Sequence, residues 1–412
     1  MKVEVLRFLG IVGIAILTLT PRSASAQEVA ANAQEVATDV VEALVVDAET
    51  GEELPFASVT VVGGRKVSTI TNAEGQFRIR VEKGERLQFT YAGYKALTLT
   101  PKAVGHRVEL VPATLMVRGV EVRALPLKEI RKETVRQQRK HRRKTADFFY
   151  RQTAFVDSAC YEYVEAFLTG RSAVAVSDLK LSNGRYAAIM PDTTVGQVLQ
   201  FYKNFFTFSQ IELATNKPKL DPSADIMPLY ERATKLYDID YDILSDSASC
   251  IYVIRFQPKA HIKNNTILDC TLYVDSVNNH ILRCDGSGRN FRILQKYPKS
   301  LMRKDEVLPV TFNFSINMTE ENGFTEVQSV YVDTYHHQDS MLVRTKSTLF
   351  NVGLHDGRKK GKELKFEDDL HMRIEKTEYD RDFWQQNEIV RRTRVEEAVK
   401  ELFERRDLFG VF

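Results

Sequence analysis

Hydrophobic and polar residues alternate with period two along most of this chain, the pattern of strands with one buried face. Residues 41–47 and 57–62 read as strands. Phe77, Ile79 and Val81, set between Gln76, Arg78 and Arg80, read as another, and Leu87, Phe89 and Tyr91 repeat the pattern before Val108 and Leu110 close it. Turn residues separate these runs at Glu49-Thr50-Gly51, Gly63-Gly64 and Asn72-Ala73-Glu74-Gly75. Short strands at this spacing predict a small β-sandwich over residues 41–123.

A second strand-rich region covers 148–350. Residues 148–153 and 161–168 open it, 237–244, 250–257 and 266–275 form a meander, and 308–318 pairs with 325–336 across the turn Glu320-Glu321-Asn322-Gly323. Residues 191–235 read as helical and looped, with a cluster of Phe201, Tyr202, Phe205, Phe206 and Phe208, most of them on one apolar face. In the tail, 351–412, Thr393-Arg394-Val395-Glu396 forms a capping box. Behind it Val395, Ala398, Val399, Leu402 and Phe403 make one apolar helical stripe, which predicts a docking helix.

Three ordered segments carry a resemblance. They are the run from Val45 through Thr50-Gly51 to Pro55-Phe56-Ala57-Ser58-Val59, then Thr71-Asn72-Ala73-Glu74-Gly75-Gln76-Phe77, then Leu87-Gln88-Phe89-Thr90-Tyr91-Ala92-Gly93-Tyr94. Together they resemble the carboxypeptidase-regulatory-like domain of Bacteroidetes envelope proteins. The resemblance implies a transthyretin/prealbumin-like sandwich that is an accessory module without catalytic residues. Phe56 departs from that family, which more often has Gly or another small residue there. The segments FYRQT, YEYVEAFL and the meander from YDILSDSASC to ILRCDG resemble the domain that follows this module in many such proteins. Their strand order also resembles the curved half-barrel of lipoprotein-carrier-like proteins. The expected fold class is therefore mostly β: the sandwich, a curved antiparallel α+β domain and a C-terminal amphipathic helix.

Residues 1–26 read as a secretory signal. Lys2 and Arg7 precede an apolar run from Phe8 to Leu19, and Ala24-Ser25-Ala26 fits a cleavage site before Gln27. Residues 27–40 read as a polar tether. Removing the signal lowers the formal net charge from +3 to +1, which gives no reason to expect nucleic acid as a partner. Cys160, Cys250, Cys270 and Cys284 match no zinc spacing and leave both disulfides and reduced core thiols open.

Charge is concentrated in the connector, 124–147. From Arg123 to Lys144 there are ten Lys or Arg and two Glu on a helix candidate whose apolar positions, among them Leu127, Ile130 and Val135, are sparse. One reading is a solvated connector. The sharper one is contact with an anionic surface, lipid phosphates or an acidic patch of a partner, through Arg139, Lys140, Arg142, Arg143 and Lys144. No aromatic residue is interleaved to stack on bases. Other chemistry is sparse. His106 and Glu109 have the spacing of a zinc pair, but residues three apart on a strand face opposite ways. His336 and His337 diverge for the same reason, and Asp368, Asp369 and His371 read as a solvated loop. No catalytic set, metal site or cofactor is expected. The expectation is a non-catalytic binding or scaffold protein at the periplasmic side of the outer membrane, with an outer-membrane or periplasmic partner. The alternatives are a periplasmic carrier of an acyl chain and, on the family name alone, a hydrolase.

Overall fold

A computed structural model describes residues 38–409 apart from 65–66, 116–124, 142–144, 190–212, 215–226, 231–232, 246–249, 264–265, 296–305, 322, 339–340, 355–362, 365–369 and 387–388. The expected signal, residues 27–37 of the expected tether and most of the helical segment 191–235 lie outside the described residues, while the last three tether residues, 38–40, belong to the first strand.

The alternating N-terminal runs form β1 (Thr38–Asp47), β2 (Ser58–Val62), β3 (Ser68–Ile70), β4 (Gln76–Glu82), β5 (Arg86–Thr90), β6 (Leu97–Leu99) and β7 (Arg107–Leu110). They make two sheets, β4-β1-β7 and β3-β2-β5-β6, with β1 and β7 parallel. The inward positions fill one core: Val45, Val59, Phe77, Leu87, Phe89 and Leu110 are fully buried. This is the expected sandwich. Its outgoing strand, β8 (Thr114–Leu115), pairs with the edge of the second sheet.

After helix α1 (Leu127–His141) come β9 (Thr145–Val156), β10 (Ala159–Arg171), β11 (Ser177–Ala188), β12 (Tyr237–Ser245), β13 (Cys250–Pro258), β14 (Ile267–Asp275), β15 (Ile281–Gln295), β16 (Glu306–Glu321), β17 (Phe324–Gln338) and β18 (Met341–Leu354). They form one curved antiparallel sheet in the order β11-β10-β9-β18-β17-β16-β15-β14-β13-β12-β8. Three short helices follow: α2 (Leu370–Ile374), α3 (Arg381–Gln386) and α4 (Arg394–Arg405). The expected mostly-β class, with sandwich, curved sheet and terminal helix, is the observed one.

Both faces of the large sheet are covered at β9 and β10. Phe148, Tyr150, Val164, Ala166, Leu272 and Val332 point inward to a core that also takes Ile130 of α1 and Leu370 and Ile374 of α2. Ile374 fits because Gly184 has no Cβ, which would lie 2.5 Å from its Cγ1. The alternate residues Phe149, Arg151, Tyr163, Glu165 and Phe167 point outward, under the C-terminal segment. Double coverage explains why β9 is buried almost continuously rather than on every second residue.

The sandwich sits on the same outer face. Phe56 stacks on Tyr331 with ring centroids 4.5 Å apart. Gln328 donates to Ser58 at 2.6 Å, Thr69 donates to the Ile389 carbonyl, and the Arg283 guanidinium lies 4.0 Å over Tyr91. Phe56 has φ +63°, a left-handed conformation that disfavours a large side chain. The departure from the family's small residue thus has a physical consequence. The strained Phe plugs the sandwich onto the sheet.

Candidate functional site

The connector helix is docked, not solvated. Ile130, Thr134 and Gln137 are buried at 0%, 3% and 1% exposure. They recur at intervals of four and three and so form one helical face. Only one of the three is apolar, which is why the hydrophobic pattern concealed the face. Polar contacts replace the missing hydrophobes. Gln137 and Glu133 reach the His280 ring at 2.8 and 3.3 Å, and the Gln138 amide oxygen accepts from the Ala175 N–H at 3.0 Å. The other ring nitrogen of His280 lies 3.0 Å from Glu320.

That docking fixes which side of the helix meets solvent. Lys128, Lys132 and Arg139, at spacings of four and seven, project opposite Ile130 and Gln137 and are exposed. They span about 16 Å of helix axis. Among the described residues the side chains of Lys128, Arg131, Lys132 and Arg139 have no hydrogen-bond or ion-pair partner; Arg136 is paired with Glu133. Of the five residues expected to meet an anionic surface, Arg139 is therefore exposed on this ridge and Lys140 is in the same helix. Arg142, Arg143 and Lys144 lie outside the described residues. Lys128 and Lys132 were not singled out from the sequence, because the run's density peaks further along.

A second concentration of charge lies between the outer face and the tail. The register places Arg151, Glu165 and Arg185 side by side on β9, β10 and β11. Glu165 is fully buried. It accepts from Arg151 Nε at 3.0 Å, from Arg185 Nε and Nη2 at 2.9 and 2.6 Å, from Arg392 Nη2 at 3.2 Å and from the Tyr163 hydroxyl at 2.8 Å. Burial alone would raise its pKa, but the guanidiniums of Arg392, Arg185 and Arg151 outweigh burial and hold it well below the usual carboxylate range. Each arginine also faces a glutamate of α4: Arg151 to Glu396 at 3.7 Å, Arg185 to Glu404 at 3.7 Å and Arg392 to Glu397 at 3.6 Å. The Arg185 guanidinium lies over Trp384 and Phe409. The capping box of α4 forms as expected, with Glu396 N–H donating to Thr393 and Thr393 N–H to Glu396. Its apolar stripe is used only in part. Val399 and Phe403 are buried, while Val395 and Ala398 are exposed, because the helix turns its acidic flank toward the arginines.

Between α4, tail residues 384–385 and 391–394 and the β1–β4 face runs an open cleft of about 670 Å³. Five cationic side chains and three carboxylates line it.

The remaining candidates separate. Glu109 pairs with Arg107 at 3.2 Å, and His106 is exposed ahead of β7. His336 is buried, which pushes its imidazole down to about 4, while His337 is exposed. His371 corrects the expected solvated loop. It is buried in α2 and lies 2.8 Å from Glu162, because Leu370 and Ile374 carry that turn into the core. Asp368 and Asp369 lie outside the described residues. All four cysteines are free, and burial pushes the Cys160 thiol up to about 12. Among the described residues no group of three His, Cys, Asp or Glu is placed to hold a metal, and no helix is long and apolar enough to cross a membrane.

Residues 44–120 match the model of the CarboxypepD_reg-like domain, in agreement with the resemblance read from the sequence. No curated protein matches the chain. Among solved structures it is similar to a LolA superfamily protein from Nitrosomonas europaea (9% identity, TM-score 0.22, covering 57% of this chain and 96% of that one). A chain of the MucA/MucB complex from Pseudomonas aeruginosa aligns at 7% identity and TM-score 0.17, over 53% and 93%. A DUF1329 family protein from Desulfovibrio piger aligns at 10% identity and TM-score 0.20, over 55% and 94%. Overlaps this loose assign neither a ligand nor an activity.

Proposed function

We propose that this chain is an exported, non-catalytic binding protein of the bacterial envelope that docks on an anionic surface through α1. One observation carries the reading. A helix anchored by a buried polar face presents Lys128, Lys132 and Arg139 on its opposite side without partners among the described residues. A helix whose cations served only solubility would need no such anchoring. Fixing the helix spends its orientational freedom during folding, so the cations meet a charged plane together with little further entropy loss. The accessory module and the curved sheet then form the body that this contact holds at the surface.

The test is sedimentation of the full chain with vesicles containing anionic lipid, for wild type and for Lys128→Glu/Lys132→Glu/Arg139→Glu. Each basic residue near such a surface contributes about 1 kcal/mol at low salt. Three reversals should lower partitioning by roughly two orders of magnitude, with an unchanged melting curve because all three side chains are exposed. The wild-type signal should fall steeply as salt shortens the screening length. Equal sedimentation of the two proteins at low salt refutes the proposal.

A further inference from the structure

The cleft between α4 and the sandwich is rich in donors and short of acceptors. Its three carboxylates are already shared. Glu42 pairs with both Arg78 and Arg391 at 3.0 Å. Glu397 lies 3.3 Å from Lys400 and 3.6 Å from Arg392, and Glu404 lies 3.0 Å from Lys400 and 3.7 Å from Arg185. No carboxylate lining the cleft is left for Arg394. Its guanidinium is exposed and has no hydrogen-bond or ion-pair partner among the described residues. Trp384 lines the same cleft, is 2% exposed, and its indole N–H is buried without an acceptor among the described residues. An indole N–H only donates, and so does a guanidinium. Arg394, the one cation lining the cleft without a partner among the described residues, stands beside Arg78 and Arg391, which share the single carboxylate of Glu42, and this defines the ligand by what is missing, namely acceptor oxygens and negative charge. At about 670 Å³ the cleft is within the usual size range of small-molecule sites.

We infer that this cleft binds a phosphate-type dianion, with Arg394, Arg391 and Arg78 as the cationic wall. A tetrahedral dianion offers more acceptor lone pairs than one carboxylate and matches the planar forks of arginine. The cations come from the sandwich face and from the tail together, so the site exists only when the two are docked. It is separate from the α1 ridge and does not depend on it.

Trp384 is the only tryptophan in the chain, so emission under tryptophan-selective excitation reports on the surroundings of this one residue beside the cleft. Titration of the full chain with pyrophosphate at low salt, against sodium chloride of equal ionic strength, should give a saturable change in emission with a Kd at or below about 1 mM. Calorimetry should show the same saturation if emission is silent. Arg394→Glu should weaken the response at least roughly tenfold, since a reversed charge faces the anion. The variant Lys128→Glu/Lys132→Glu/Arg139→Glu should retain the full response, which separates this site from the surface contact. Phosphatidate vesicles offered to that same variant distinguish the source. A response to pyrophosphate assigns a soluble phosphate, and a response to vesicles alone assigns a lipid headgroup. Absence of saturation with both probes, or identical titrations for wild type and Arg394→Glu, overturns the inference.

Discussion

Replacing Glu165 by Gln removes one negative charge from beneath three buried guanidiniums and keeps the shape. Each guanidinium lies within 2.6–3.2 Å of the carboxylate. At an effective dielectric of about 20, each such pair attracts by about 4 kcal/mol. Desolvation of all four groups and repulsion among the arginines take back a large share. The useful quantity is therefore the penalty of leaving the cations unpaired, about 3–5 kcal/mol when one member of a buried pair is lost. A domain of this size gains or loses roughly 2–4 °C per kcal/mol, so Glu165→Gln should melt about 10 °C lower. The tail should loosen first, because Arg392 and the glutamates of α4 belong to this network; limited proteolysis should cut within 379–409 before the sheet. The pH dependence has a definite sign. The folded-state pKa of Glu165 is depressed, so its contribution is complete above the unfolded value near about 4.3 and is lost as pH falls toward the folded value. The gap between wild type and variant should be constant from pH 7 to 5 and narrow below about pH 4. A shift under about 2 °C at pH 7, or a gap that widens in acid, refutes this account of the network.

Two further perturbations address how the parts are joined. Ile130→Ala should cost about 2–4 kcal/mol, read from the denaturation midpoint, because Ile130 is the fully buried apolar anchor of α1; a loss below about 0.5 kcal/mol would mean that the helix is a solvated connector after all. Phe56→Gly should relieve about 1–2 kcal/mol of left-handed strain yet lose about 2–4 kcal/mol of burial and stacking on Tyr331. Its net loss should be modest, with increased hydrogen exchange at the sandwich–sheet contact; a more stable variant with unchanged exchange would mean that Phe56 contributes nothing to docking.

Period-two alternation was a reliable guide wherever one face of a strand stayed polar. β4, with Phe77, Ile79 and Val81 inward and Arg78 and Arg80 outward, is legible at sight. So is the hairpin turn at Gly323. The same logic weakened where a strand is covered twice. In β9 and β10 the alternation is present, but both sets of residues are buried, and the outward set includes Arg151 and Glu165. A charged residue on a strand normally marks the solvent side. Here the solvent side is occupied by a tail that arrives more than 200 residues later. No local pattern encodes that, because the pairing of β9 with β18 and the return of Arg392 are set by tertiary packing.

The connector shows the opposite failure. Its charge was obvious and its burial was not, because the buried face is written in Thr134 and Gln137 and not in leucines. A helix can be anchored by polar side chains only if partners already stand opposite them. His280, itself held by Glu320, and the Ala175 backbone supply those partners from strands and loops distant in sequence. The consequence for function is direct. A charge run on a tumbling helix is a solubility device, whereas the same run on a helix held at one orientation is a directional surface. Which description applies depends on Ile130, Gln137 and His280 more than on any of the cations. Neutralising the anchor should therefore blunt surface binding almost as effectively as reversing the charges.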